Sequence, residues 1–157
     1  MMKKRGWQII TAIALLIVDQ LTKTWAANHL KGQAGCEIIK GFFYLTYAEN
    51  NGAAWSILQG QTTFFVVIGI VALVAFIYWY WKSERMLSQI SLALIISGTL
   101  GNMIDRMLLT NVRDFLDFYI FGYDFPIFNI ADSCLTIGMI LMLLDIVVEE
   151  KLWLKKK

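Results

Sequence analysis

Asp114 and Asp132 lie where a strongly apolar chain is least expected to carry charge. The first follows the third long apolar run. The second opens the fourth, inside Phe128-Asn129-Ile130-Ala131-Asp132-Ser133. An ionisable side chain within a membrane segment is costly and marks a functional site. Two carboxyls brought together at the end of a helix bundle can share a proton. One can then serve as general base and the other as general acid.

Other polar residues are spaced so that they can join this pair. Asp19 and Lys23, four apart, share a helical face and can pair. Asp19 stands roughly 18 Å along a helix from Trp7, in the outer half of a bilayer. A pair that locks helix packing explains these two residues as well as a pair that orders a neighbour of the site. Neither reading has Asp19 perform the reaction. In Glu49-Asn50-Asn51-Gly52-Ala53-Ala54-Trp55-Ser56, Asn50 offers a donor and an acceptor, and Gly52 lets a backbone approach closely. A plain turn explains the same residues. Gly98, Gly101, Asn102, Asp105 and Arg106 cluster at the outer end of the third run. Asn102 shares a face with Asp105 and Arg106, whereas Asp105 and Arg106, as neighbours, point apart. The competing explanation is a glycine packing pair with an interfacial ion pair. Asp114 and Asp117 are three apart, as are Asn129 and Asp132. A helix cap explains any one of them, but not so many carboxyls and amides converging on one membrane face.

Other chemistries find little support. His29 is the only histidine, so there is no His-Glu-x-x-His zinc set. Cys36 and Cys134 have no metal or redox spacing and are expected to be free thiols.

The elements that must position these residues are membrane spans. The chain has 157 residues, of which 58% are hydrophobic, and a single proline; its mean hydropathy is +0.59. Four runs are long enough to cross a hydrocarbon core, which takes roughly 20 helical residues. They are approximately 7–26, 64–81, 87–107 and 127–148, within one domain, 1–157, that shows no internal repeat. This excludes a water-soluble helical domain. Lys3, Lys4 and Arg5, then Lys82 and Arg85, then Lys151 and Lys155 to Lys157 all fall on one side. That side is expected to be cytoplasmic, with both termini. The basic, apolar N-terminus is similar to a secretory signal, but Asp19 interrupts it and no convincing cleavage site follows, so it reads as a retained span. The net charge of +2 calls for no nucleic acid.

The outer segments are then 27–63 and 108–126. Glu37 to Tyr47 is β-branched and aromatic, and it predicts short strands resting on the outer interface. Phe118 to Ile127 predicts a small hairpin or flap. The fold class is thus an all-α membrane protein, a four-helix bundle with a small extracytoplasmic sheet. Phe42, Phe43, Trp55, Phe115 and Phe118 are expected to flank the polar site. The rival readings are a small proton-coupled transporter and an assembly factor. A transporter favours carboxyls near the midplane and repeated halves.

Asp19-Gln20-Leu21-Thr22-Lys23, Asn50 with Gly52-Ala53-Ala54, Gly101-Asn102-Met103-Ile104-Asp105-Arg106, Val112-Arg113-Asp114-Phe115-Leu116-Asp117-Phe118 and Phe128 to Ser133 together resemble the motifs of bacterial lipoprotein signal peptidase, signal peptidase II. The resemblance runs in order over nearly the whole chain. It implies an aspartyl endopeptidase of the bacterial cell membrane, with no metal or other cofactor. Such an enzyme removes the signal peptide of a prolipoprotein just before a diacylglyceryl-modified cysteine. Asp114 and Asp132 match the family's catalytic aspartates. Asp19, Lys23, Asn50, Gly98, Asn102, Asp105, Arg106 and Asn129 match its supporting residues, and Gly52 matches the glycine of the Asn50 motif. The implied partners are lipidated prolipoproteins, membrane lipids and the cyclic peptide antibiotics globomycin and myxovirescin.

Overall fold

The computed structural model describes residues 5–52 and 58–154. Its elements run α1 (Gly6–His29), β1 (Cys36–Ile39), β2 (Phe43–Asn50), α2 (Thr62–Lys82), α3 (Met86–Leu109), β3 (Val112–Ile120), β4 (Tyr123–Phe128) and α4 (Ile130–Leu154). Lys3, Lys4, Trp55, Lys155, Lys156, Lys157 and the alanines after Gly52 lie outside the described residues, as does the side chain of Lys151.

All four helices are long and apolar enough to span a membrane. Their outward faces carry bare apolar side chains such as Ile10, Leu21, Val71, Leu108 and Leu143. In water such a belt would drive association, whereas in a bilayer it meets acyl chains. Helix α3 is the centre and packs against the other three. Its serines, glycines and Asn102 face inward. A Cβ on Gly98 would lie 2.3 Å from the Ala131 carbonyl oxygen, and one on Gly101 would lie 2.6 Å from Asp19 Oδ2. Only hydrogen fits at either position, so α3 comes close to α4 and to the α1 carboxylate.

The strands form one antiparallel sheet in the order β1-β2-β3-β4. The strands expected in the first segment and the hairpin expected in the second therefore join edge to edge. The β2–β3 pairing sets Ala48 opposite Asp114 and Asn50 opposite Val112. The β3–β4 turn passes through Phe121 and Gly122, both at positive φ. Pro126 sits on an edge strand, between Phe125 and Phe128 where the β3–β4 register shifts, a place that tolerates a missing N–H. Because β4 extends to Phe128, the fourth helix starts at Ile130 and not near Ile127. Ala26, Leu30 and Phe115 form a small core with Leu45, Tyr47, Leu116 and Ile130, which seats the sheet on α1 and the start of α4.

A second polar cluster ties the opposite end of the bundle. Arg5 donates to the Trp81 and Ser83 carbonyls at 3.0 and 2.9 Å, and Gln8 Nε2 donates to Gln89 Oε1 at 3.0 Å. Asp145 is buried, pairs with Arg85 at 2.6 Å and accepts from the Ser88 hydroxyl. Arg85 therefore pins α4 to the start of α3, beyond any part it plays in orientation.

Candidate active site

Asp114 is the third residue of β3 and is almost wholly buried. Asn50 Nδ2, at the end of β2, donates to its Oδ2 at 3.2 Å. Asn129 Nδ2, just before α4, donates to its Oδ1 at 2.6 Å. Asp132 is in the first turn of α4. Its main-chain N–H donates to Asn129 Oδ1 at 2.9 Å, and its Oδ2 accepts from the Asn129 N–H at 3.1 Å. This is a reciprocal helix cap. The other oxygen of Asp132 accepts from Asn102 Nδ2 at 2.7 Å. One asparagine thus connects the two carboxyls, caps a helix and, through its Nδ2, reaches Asn102 Oδ1 at 3.1 Å.

Behind this layer lies Lys23, with no exposure to solvent. Its ammonium donates to Asn102 Oδ1 at 2.9 Å and pairs with Asp19 at 3.0 Å and Asp105 at 3.6 Å. Asp19 Oδ1 accepts from the Ala131 N–H at 2.8 Å, answering a free donor at the start of α4. Asp19 and Lys23 therefore both lock helix packing and order a neighbour of the site. Asp105 and Arg106 do point apart. Asp105 faces inward to Arg113, whereas Arg106 Nη2 donates to the Gly52 carbonyl at 2.9 Å and its guanidinium lies over the Phe65 ring. The Gly52 N–H in turn donates to Asn50 Oδ1 at 2.9 Å, which fixes the amide that meets Asp114.

The two aspartates open into one cleft of about 760 Å³. Beside the aspartates, its polar lining includes Glu49, Asn50, Asn102, Arg106, Ser133 and Thr136, and Phe125 to Phe128 with Leu135, Ile137 and Met139 supply an apolar wall. That wall differs from the aromatic set expected from sequence. Phe42 and Phe43 each pack on Phe118, which also stacks on Phe128. Phe115 follows Asp114 on a strand, so it faces the other side of the sheet and enters the α1 core. Asp117 is likewise away from the cleft, where its Oδ2 accepts from Thr46 at 2.7 Å.

Sequence reasoning missed Gln20 and Arg113 as members of the network. Gln20 Nε2 reaches Asp19 Oδ2 at 3.1 Å and the Gly101 carbonyl at 3.1 Å. The available signal for Gln20 was an amide beside Asp19 in an apolar run.

Burial pushes the Asp114 carboxyl up to about 7, and the nearby charge of Asp132 pushes the same way; the amides of Asn50 and Asn129 pull against both. Asp114 can therefore hold or release a proton near neutral pH.

A four-span membrane protein with two linked carboxyls in one cleft is the class that this fold and site define. Residues 11–148 match the family described as "Signal peptidase (SPase) II". The chain is 47% identical over 141 residues to "Lipoprotein signal peptidase" of Staphylococcus aureus strain JH9, covering 88% of this chain and 86% of that one. The same figures hold for strain Newman. Two solved structures, both described as a bacterial membrane enzyme studied by the in meso method, superpose on it. The one at 2.3 Å resolution has a TM-score of 0.85 and 43% identity over 92% of this chain and 90% of that chain. The one at 1.9 Å resolution has 0.83 and 46% over 90% and 92%. The chain belongs to the signal peptidase II family and is a multi-pass membrane peptidase.

The position of Asp114 has a consequence for stability. A carboxyl whose folded-state pKa is raised from 3.8 to about 7 binds its proton more tightly when folded. Its contribution is most favourable below about pH 4 and is lost as pH rises towards 7. The variant Asp114→Asn lacks this loss. Its melting temperature relative to wild type should therefore rise between pH 5.5 and pH 8.5, measured in the same detergent. A constant difference across that window would contradict the assigned environment.

Proposed function

We propose that this chain is an aspartyl endopeptidase that removes the signal peptide from diacylglyceryl-modified prolipoproteins, cutting just before the lipidated cysteine. The observation that carries this reading is the joining of Asp114 and Asp132 by Asn129 in one cleft. Family membership supports the substrate class. In this reading 1–157 is a single peptidase domain.

The ionised carboxylate takes a proton from water, and the water oxygen attacks the scissile carbonyl. The protonated partner donates to the departing amide nitrogen. The two share the proton, so the roles belong to the pair. Asn50, Asn102 and Asn129 orient the carboxyls, and Asp19, Lys23 and Asp105 hold that layer from behind. Arg106 and Gly52 fix Asn50. Gly98 lets α4 approach closely enough to present Asp132. The apolar wall suits acyl chains and the signal helix, and globomycin or myxovirescin would compete for the same cleft. No step calls for a metal.

The sheet-side end faces outward, with both termini in the cytoplasm. Arg5, Lys82 and Arg85 all lie at the opposite end, which supports this orientation. Bound substrate then stays in the bilayer with its scissile bond at the outer interface, in reach of both aspartates.

Three outcomes test the reading. Asp114→Asn and Asp132→Asn should each lower cleavage of lipidated precursor by about a hundredfold to ten-thousandfold, in protein that still inserts and melts cooperatively. Near-wild-type turnover by either variant removes that residue from the chemistry. Unlipidated precursor should be cut at least about tenfold more slowly than lipidated precursor in the same detergent, because remote binding energy orients the reacting bond. Equal rates would reject lipid positioning while leaving the protease intact. Cys36 is exposed on β1, so an impermeant thiol reagent should label it in intact cells. Labelling only after the membrane is opened reverses the orientation.

A further inference from the structure

Arg113 immediately precedes Asp114 on β3 and, by strand alternation, points to the other face of the sheet. There it makes an unusually complete set of bonds. Nη2 donates to Asp105 Oδ1 at 2.8 Å and Nε donates to Asp105 Oδ2 at 3.1 Å, a two-pronged pairing. The Arg113 main-chain N–H donates to the same Oδ2 at 3.0 Å. Nη1 and Nη2 also reach Thr24 Oγ1 and Gln20 Oε1 on α1, at 3.1 and 3.2 Å. One residue therefore holds the start of β3 to α3 and α1 through both its side chain and its backbone.

Asp105 has no solvent exposure, so its charge must be answered by protein. Arg113 answers it at 2.8 Å, and Lys23 stands off at 3.6 Å. Lys23 makes its closer contacts with Asn102 at 2.9 Å and Asp19 at 3.0 Å. Through Asn102 it fixes the amide that donates to Asp132. Without the guanidinium, the nearest remaining cation for Asp105 is Lys23, and its shift would release Asn102.

We propose that Arg113 is a positioning residue for the carboxyl pair: it clamps Asp105, which leaves Lys23 to Asn102 and fixes the strand that presents Asp114. This rests on the reading that Asp114 and Asp132 carry the chemistry. The charged and titratable groups around this network are Asp19 and Lys23 on α1, Tyr47 and Glu49 on β2 (Glu49 opposite Arg113 in the ladder and paired with Lys31), Asp105 and Arg106 on α3, Asp114 on β3 and Asp132 on α4. Removing the Arg113 cation makes the potential at Asp114 more negative, so its carboxyl keeps its proton to higher pH.

The experiment compares wild type, Arg113→Gln, Arg113→Lys and Asp114→Asn, each full length in detergent, on one lipidated precursor. Arg113→Gln should lower kcat by about tenfold or more, leave KM within about twofold, and move the kcat–pH profile upward. Arg113→Lys keeps the charge but loses the fork, so kcat should fall about threefold to tenfold with the profile in place. Wild-type kcat in Arg113→Lys overturns the proposal, even where Arg113→Gln does not accumulate. A lower yield of folded protein with unchanged kcat and pH profile per folded molecule also overturns it, since that marks a merely structural role. Activity in Asp114→Asn overturns the underlying aspartyl reading. An inactive Asp114→Asn beside wild-type behaviour in both Arg113 variants overturns the Arg113 inference alone.

Discussion

A lysine with no solvent exposure, set inside a membrane-spanning helix, governs the sheet-side end of this bundle. A buried ammonium is tolerated only when its partners are close and complete. Asp19 on the same helix, with Asn102 and Asp105 on α3, supplies them. Each partner then brings in another element: Asp19 takes the N-terminus of α4, Asn102 takes Asp132, and Asp105 takes β3 through Arg113. The charges nearly balance. Lys23, Arg106 and Arg113 face Asp19, Asp105, Asp114 and Asp132, three cations against four carboxyls. The cluster is neutral when one proton rests on the aspartate pair, which is the state that acid–base chemistry by two carboxyls begins from.

Asp114 and Asp117 lie on a strand and cap no helix, but other polar residues with a structural explanation also belong to the cleft's network. Asn129 and Asp132 form a helix cap and also bring the two carboxyls into one network. Gly98 and Gly101 are packing glycines, and what they pack is the site: the Ala131 carbonyl and the Asp19 carboxylate occupy the space a methyl group would take. In a low-dielectric interior an unpaired polar atom is costly. The polar groups that line the cleft or stand directly behind it are therefore also the groups that hold the helices together.

This economy explains what was legible in the sequence. Long apolar runs fixed the four spans, and polar residues interrupting them stood out, so Asp19, Lys23, Asn102, Asp105, Asn129 and Asp132 were visible. The β-branched and aromatic stretch before Asn50 read as strand. Its union with β3 was not legible, because the Ala48–Asp114 pairing is non-local and leaves no periodic trace. The start of α4 was read too early because Ile127 and Phe128 are as apolar as the helix after them. Arg113 sat among polar neighbours in an outer segment, where charge carries no penalty and so no signal. The aromatic lining was misplaced because alternation along β3 sends Phe115 and Asp114 to opposite faces. Asp145, within the fourth run, was passed over, although its pairing with Arg85 ties the far end of the bundle.

The order of synthesis gives the Asp19–Lys23 spacing a further meaning. Asn102 follows Lys23 by 79 residues, and Ala131 follows Asp19 by 112. At ribosomal rates, Asp19 waits about 6 to 20 s for that partner. During this interval α1 is in or near the bilayer without α3 or α4 to receive its charges. A carboxylate and an ammonium four residues apart on one helix neutralise each other meanwhile. The first span thus carries its own counterion in its sequence, in place before the later helices exist to share the charge.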